Sequence, residues 1–287
     1  MGAGYAGYAS VFSRKTAQVG PLTIRYLEGG HGEPLLYLHG LEGWGLWDSF
    51  HIAFGVTNRV MAPLLPGWQD GRIPASIKSP RDYAKIIYEF AESIGIRKLT
   101  LVGHSVGGWV AICAAAEYPE LVERLVLIDS LGLHAAHTAE LAIRNMDQEA
   151  FSHAVFARHE KVLVPHSFNP DFGGEFQEVK DSPEFKRYWR NREVLVRWLG
   201  DRLEDPGLLE SARHIKAKTL IVWGREDGLV PCEDGRLLAE AIANSRLAVI
   251  KDAAHSPMKD KRETFQRVVY EFLSAPDNAA QPKLIEL

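Results

Sequence analysis

The chain has 287 residues, of which 46 % are hydrophobic and 24 % charged. That is the balance of a folded globular protein, and it excludes a disordered, collagen-like or coiled-coil chain. With 33 Lys plus Arg against 37 Asp plus Glu the formal net charge is −4, which supplies no basic footprint for nucleic acid or an anionic membrane.

A chain this long can bury a core that needs no metal or disulfide to hold it. Cys113 and Cys232 lie far apart with no C-x-x-C near either, so they read as buried thiols of a reducing compartment. The opening MGAGYAGYAS has neither the basic nor the apolar segment of a secretory signal and reads as a loose tail. No apolar run is long enough to span a bilayer. A cytoplasmic protein is expected.

In chain order, Leu22–Leu27 predicts a strand, and Leu35–Leu38 a short apolar strand ending at His39-Gly40. Arg59–Ala62 follows, running into Pro63 and a Leu-Pro-Gly turn at 65–67. Tyr83–Ile94 has helical length and spacing, and Lys98–Val102 is a buried strand. Val106–Tyr118 is an Ala-rich helix stopped by Pro119, and Leu125–Ile128 is a second buried strand. Short apolar strands alternating with helices predict an α/β fold, a mostly parallel sheet covered on both faces.

The alternation then breaks. Residues 131–213 hold no convincing strand, only amphipathic stretches at Ala139–Arg158 and Ser182–Arg202 around a Pro/Gly/Phe loop, Pro165–Gly174. They are assigned to an inserted helical cap, and residues 1–130 and 214–287 to the core. The sheet pattern resumes with Thr219–Trp223, a helix near Glu233–Ala243, the strand Leu247–Ile250 and a closing helix near Arg262–Phe272. The last dozen residues read as a frayed tail.

Gly103-His104-Ser105-Val106-Gly107 fits G-x-S-x-G between a buried strand and a helix. Such a turn strains the serine backbone and lifts its hydroxyl above the sheet edge. The glycines relieve crowding, and the helix N-terminus offers free N–H groups to a developing oxyanion. A phosphate-binding turn is the competing reading, but no G-x-G-x-x-G or G-K-[ST] accompanies it.

A nucleophilic serine needs a base, and the base an orienting acid. His255 follows one late strand and Asp227 another, giving the order Ser105, Asp227, His255. Asp129 and Glu226 are alternative acids. His134, His137, His153 and His159 form no ligand set, and His31, His51, His166 and His214 have no motif context. The oxyanion amides are assigned to Val106 and, in the loop His39–Gly45, to Leu41.

LHG at 38–40, LVGHSVGG at 101–108, LIVWGREDGLVP at 220–231 and AAHSP at 253–257 together resemble the α/β-hydrolase superfamily in its cap-bearing branch. The resemblance spans about residues 20–274 and implies a Ser-His-Asp triad. There are departures. Ser105 replaces the aspartate nucleophile of relatives that open epoxides or remove halide. Leu64-Leu65-Pro66-Gly67 lacks the usual acid, Ala254 stands where glycine is usual, and Lys259-Asp260-Lys261 replaces E-x-P. Relatives that hydrolyse carbon–carbon bonds tend to carry Asn before the serine and Trp after the histidine. Here those positions hold His104 and Ser256.

The expected activity is that of a serine hydrolase acting on a carboxylic ester or related acyl bond. Carbon–carbon or amide cleavage, or lyase chemistry on a small carbonyl compound, is the alternative, and a non-catalytic ligand-binding protein the third reading. Trp44, His104, Trp109, Phe151, Phe168 and Trp189, joined by Phe156, point to an apolar or aromatic pocket. Arg144, Arg190 and Arg192 are candidate clamps for a substrate carboxylate. No cofactor or metal is expected. The partner is a small-molecule substrate, with no nucleic acid or membrane; a homodimer is compatible with the composition.

Overall fold

Among the described residues nine strands join in one sheet, in the order β1-β2-β4-β3-β5-β6-β7-β8-β9. They are β1 (Phe12–Val19), β2 (Leu22–Gly30), β3 (Glu33–Leu38), β4 (Asn58–Pro63), β5 (Leu99–His104), β6 (Val122–Ile128), β7 (Lys218–Gly224), β8 (Ser245–Ile250) and β9 (Leu284–Glu286). The computed structural model describes residues 12–43, 49–68, 72–133, 143, 145–155, 183–200, 203–276 and 282–287. The expected tail at 1–10 lies outside them.

From β3 onward every pairing is parallel, while β1–β2 and β2–β4 are antiparallel. The central strands are apolar on both faces because both are covered. Leu36 and Leu38 of β3 point into one core cluster, Leu35 and Tyr37 into the other. The helices α2 (Pro80–Ser93), α3 (Val106–Glu117) and α7 (Cys232–Ala241) fill the first side; α1 (Ser49–Phe54) and α9 (Arg262–Ser274) fill the second.

Two segments and one cysteine depart from the sequence expectations. β1 was not anticipated, because FSRKTAQV buries only Ala17 and Val19; pairing with β2 makes it a strand, helped by Lys15–Glu28 at 2.8 Å. The carboxyl terminus is not a frayed tail in its last residues. β9 adds to the open edge of β8, and Lys251 N–H donates to Leu287 O at 2.7 Å. An exposed edge offers unpaired N–H and C=O groups to any neighbouring segment, a pull that local composition does not register. Of the cysteines Cys113 is buried, its thiol pushed up to about 12 by burial, but Cys232 is only partly buried.

Between β6 and β7 stand α4 (Gln148–Val155), α5 (Pro183–Leu199) and α6 (Leu208–Arg213), within the two helical stretches expected there and at their carboxyl side. They are tied to loops at the carboxyl ends of the strands. Gly228 N–H donates to Ala154 O at 3.1 Å, and Asn191 Nδ2 donates to Leu41 O at 2.9 Å. Trp198 Nε1 donates to Ile77 O at 3.0 Å while its ring meets Tyr83 edge-on. The short helix α8 (Pro257–Asp260) follows β8. Among the described residues no helix is long and apolar enough to cross a membrane.

Candidate active site

β5 runs directly into α3, and Ser105 at the junction has φ 55° and ψ −121°. A non-glycine residue in this region carries about 1–3 kcal/mol of strain, so the surroundings must enforce it. They do. Ser105 N–H continues the ladder onto Ile128 O at 2.9 Å, and Ser105 O accepts from Gly108, Trp109 and Leu131. A Cβ on Gly107 would run into the carbonyls of Leu38 and His39, and one on Gly103 into the carbonyl of Gly107. Both glycines of the pentapeptide are therefore steric requirements.

Ser105 Oγ lies 2.9 Å from His255 Nε2, and His255 Nδ1 lies 2.8 Å from Asp227 Oδ2. A carboxylate only accepts, so Nδ1 carries the proton and Nε2 is left to accept from the serine hydroxyl. The His255 and Asp227 side chains are 1 % and 0 % exposed. Asp227 Oδ1 accepts the N–H groups of Leu229 and Val230 at 2.8 and 2.9 Å, which aims the other oxygen at the ring. Neither the Leu41 nor the Val106 amide has an acceptor among the described residues. This arrangement can remove a proton from Ser105 and stabilise an oxyanion.

The alternative acids serve elsewhere. Glu226 accepts Ala253 N–H at 3.1 Å, propping the loop that carries His255. Asp129, with φ 42°, accepts Gly224 N–H at 2.8 Å and meets the carboxyl of Asp227. The other oxygen of Asp129, Oδ2, is buried and has no hydrogen-bond partner among the described residues. Burial first, and the Asp227 charge second, hold Asp129 well above the usual carboxylate range, so Asp129 is the neutral member. Asp260 accepts Ala254 N–H at 2.9 Å and steadies the same loop.

Trp109 is 2 % exposed, and Phe151 meets Trp189 edge-on at 5.8 Å. Arg192 stacks over Trp189 at 4.2 Å. Arg190, expected at the pocket, is instead exposed, because the helical period turns it away while its neighbours Trp189 and Asn191 pack inward. Trp44, Arg144, Phe156 and Phe168 lie outside the described residues. His104 has both ring nitrogens on protein atoms: Nε2 on His255 O at 2.8 Å and Nδ1 on Glu42 at 3.3 Å. Sequence reasoning passed over Glu42, although an acid in the Gly-rich loop beside Leu41 was a visible signal. Among the described residues no group of three or more His, Cys, Asp or Glu could hold a metal ion.

A profile of the α/β hydrolase fold matches residues 33–261. The chain belongs to the α/β-hydrolase family. The 2-hydroxy-6-oxo-6-phenylhexa-2,4-dienoate hydrolase of Comamonas testosteroni is 26 % identical over 87 % of this chain and 91 % of its own length. The 2-hydroxymuconate semialdehyde hydrolase of Pseudomonas putida is 28 % identical, over 86 % of this chain and 89 % of its own. The crystal structure of a membrane phospholipase A, called a bacterial virulence factor, superposes with a TM-score of 0.74 at 25 % identity, covering 94 % of this chain and 88 % of that one.

Proposed function

We propose that this α/β-hydrolase is a serine hydrolase that cleaves a carboxylic ester or related acyl bond of a small apolar or aromatic substrate. The observation that carries the reading is the aligned chain Ser105 Oγ, His255, Asp227, with contacts of 2.9 and 2.8 Å. His255 takes the hydroxyl proton as Ser105 attacks the acyl carbon, and Asp227 stabilises the imidazolium that forms. The oxyanion rests on the amides of Leu41 and Val106, each such donor contributing about 3–4 kcal/mol. The leaving group takes the proton from His255, and water then hydrolyses the acyl-enzyme through the same base. Residues 131–213 act as a cap, with Phe151, Trp189 and Trp109 supplying apolar pocket surface and Arg192 a positive group beside it.

A second reading is supported by the relatives named for 2-hydroxy-6-oxo-dienoate and semialdehyde substrates: the same machinery would cleave a carbon–carbon bond of a vinylogous diketone. His104 and Ser256 stand where the resemblance leads one to expect Asn and Trp for that activity, which favours the ester reading.

The test is intact-mass spectrometry after a fluorophosphonate, followed by a panel of p-nitrophenyl esters and vinylogous diketones. One adduct on the wild type, absent from Ser105→Ala and slow on His255→Ala, supports the nucleophile, and the panel then separates the two bonds. A folded wild type that takes no adduct overturns the reading.

A further inference from the structure

Next to the Ser105 machinery lies a second acid–histidine pair. The histidine rings of the two pairs are close, His104 and His255 standing 5.2 Å apart between centroids. His104 Nε2 is 2.8 Å from the backbone oxygen of His255, an atom that can only accept, so Nε2 bears a proton. Nδ1 faces Glu42 with both carboxyl oxygens at 3.3 Å. Glu42 Oε1 already accepts from Tyr37 O–H at 2.8 Å and from Gly40 N–H at 2.9 Å. Equal approach to two oxygens suits an N–H shared by a carboxylate; a carboxylic O–H would single out one oxygen. Nδ1 is then protonated as well, and the ring is an imidazolium.

The groups around the pair fit this state. Lys259 adds positive charge toward Glu42, and Tyr37, His39, His51 and His255 complete the surroundings. Burial alone would raise the Glu42 carboxyl; the charge and hydrogen bond of His104 outweigh it and hold the group well below the usual carboxylate range. His39 shows the contrast. It donates from Nδ1 to Gly40 O at 2.9 Å and accepts Leu65 N–H on Nε2 at 3.1 Å, which is the neutral pattern, and burial pushes its pKa down.

We propose that Glu42 and His104 form an internal carboxylate–imidazolium pair that positions the Leu41 amide and the His255 loop against Ser105. The consequence for reactivity rests on the serine-hydrolase reading, whereas the protonation state rests on hydrogen-bond geometry alone. Glu42 Oε1 holds the Gly40 N–H, fixing the loop one residue before Leu41. A Cβ on Gly40 would stand 2.7 Å from Glu42 Oε2, 2.9 Å from His104 Nδ1 and 3.0 Å from Ser105 Cβ, so this loop lies directly on the pair and on the nucleophile. His104 holds the other side through the His255 carbonyl. A buried ion pair contributes little net stability over apolar packing, so its value here is placement.

The experiment combines ring ¹⁵N NMR with fluorophosphonate labelling of the full chain. At pH 8 the wild-type His104 ring, assigned by its loss in His104→Gln, should carry protons on both nitrogens, and in Glu42→Gln on one. A singly protonated wild-type ring at pH 8 overturns the ion pair. Labelling of Glu42→Gln should be about ten- to a hundredfold slower at saturating probe, with unchanged half-saturation and still one adduct per chain. A merely structural loss would instead lower the fraction of chains that label. Wild-type labelling rates in Glu42→Gln overturn the positioning role. If Glu42→Gln does not fold, Tyr37→Phe, which removes one donor from Glu42, should slow labelling about threefold. If the wild type takes no adduct, the hydrolase reading fails, while the ring spectrum and the shift of the Leu41 amide resonance in Glu42→Gln still decide the pair.

Discussion

Two buried carboxyl–histidine pairs lie side by side at the carboxyl end of the sheet, and they differ in what the far nitrogen meets. In Asp227–His255 that nitrogen faces a hydroxyl, which can donate to it, so the ring is placed to take a proton. In Glu42–His104 it faces a carbonyl, which cannot, so the ring already holds both protons and can only anchor. An acid beside an imidazole therefore does not by itself make a base. The group on the opposite nitrogen decides whether the pair moves a proton or holds a position.

The comparison breaks most clearly at Ser105. Replacing it by Ala should lower turnover by at least about 10⁴-fold and abolish the fluorophosphonate adduct; an adduct of unchanged mass on that variant would place the nucleophile elsewhere. Asp227→Asn should leave the fold intact and cost about 10⁴-fold in labelling rate, because the amide turns the ring to the wrong tautomer. Near-normal rates there would mean that Asp129 takes over the acid's place.

Asp129 sharpens the comparison through stability. Its folded pKa is raised, so the folded protein holds this proton at pH values where the unfolded chain, with a carboxylate pKa of ~3.9, has released it. Folding stability accordingly falls as pH rises above the unfolded value, by up to about 1.4 kcal/mol per pH unit until the folded pKa is reached. Asp129→Asn removes that penalty. Urea unfolding should show the variant gaining on wild type as pH increases from about 4 to about 7, and a pH-independent difference would remove Asp129 as the neutral member. The smallest effect is expected at Asn191, whose side chain ties α5 to the Leu41 carbonyl. Asn191→Ala should slow labelling about tenfold with little change in thermal midpoint, since the carbonyl it frees belongs to the loop proposed to supply an oxyanion donor. Unchanged kinetics would show that the loop is held without α5.

Much of this was legible in the residue order. The alternation of short apolar strands with helices determined the sheet, since a strand buried on both faces must be apolar throughout. The G-x-S-x-G turn determined the elbow, because the close carbonyls around positions 103 and 107 leave no room for side chains. Asp227 and His255 were readable from their places after late strands. What tertiary structure alone decided are relations between distant segments: β1 and β9 become strands because open edges await them, Arg190 faces solvent through its helical phase, and Asp129 stays protonated because β6 and β7 bring two acids together. The roles of Glu42 and His104 belong with these. A side chain's protonation follows from the donors and acceptors that the fold sets around it, and their distances are not written in the order of residues.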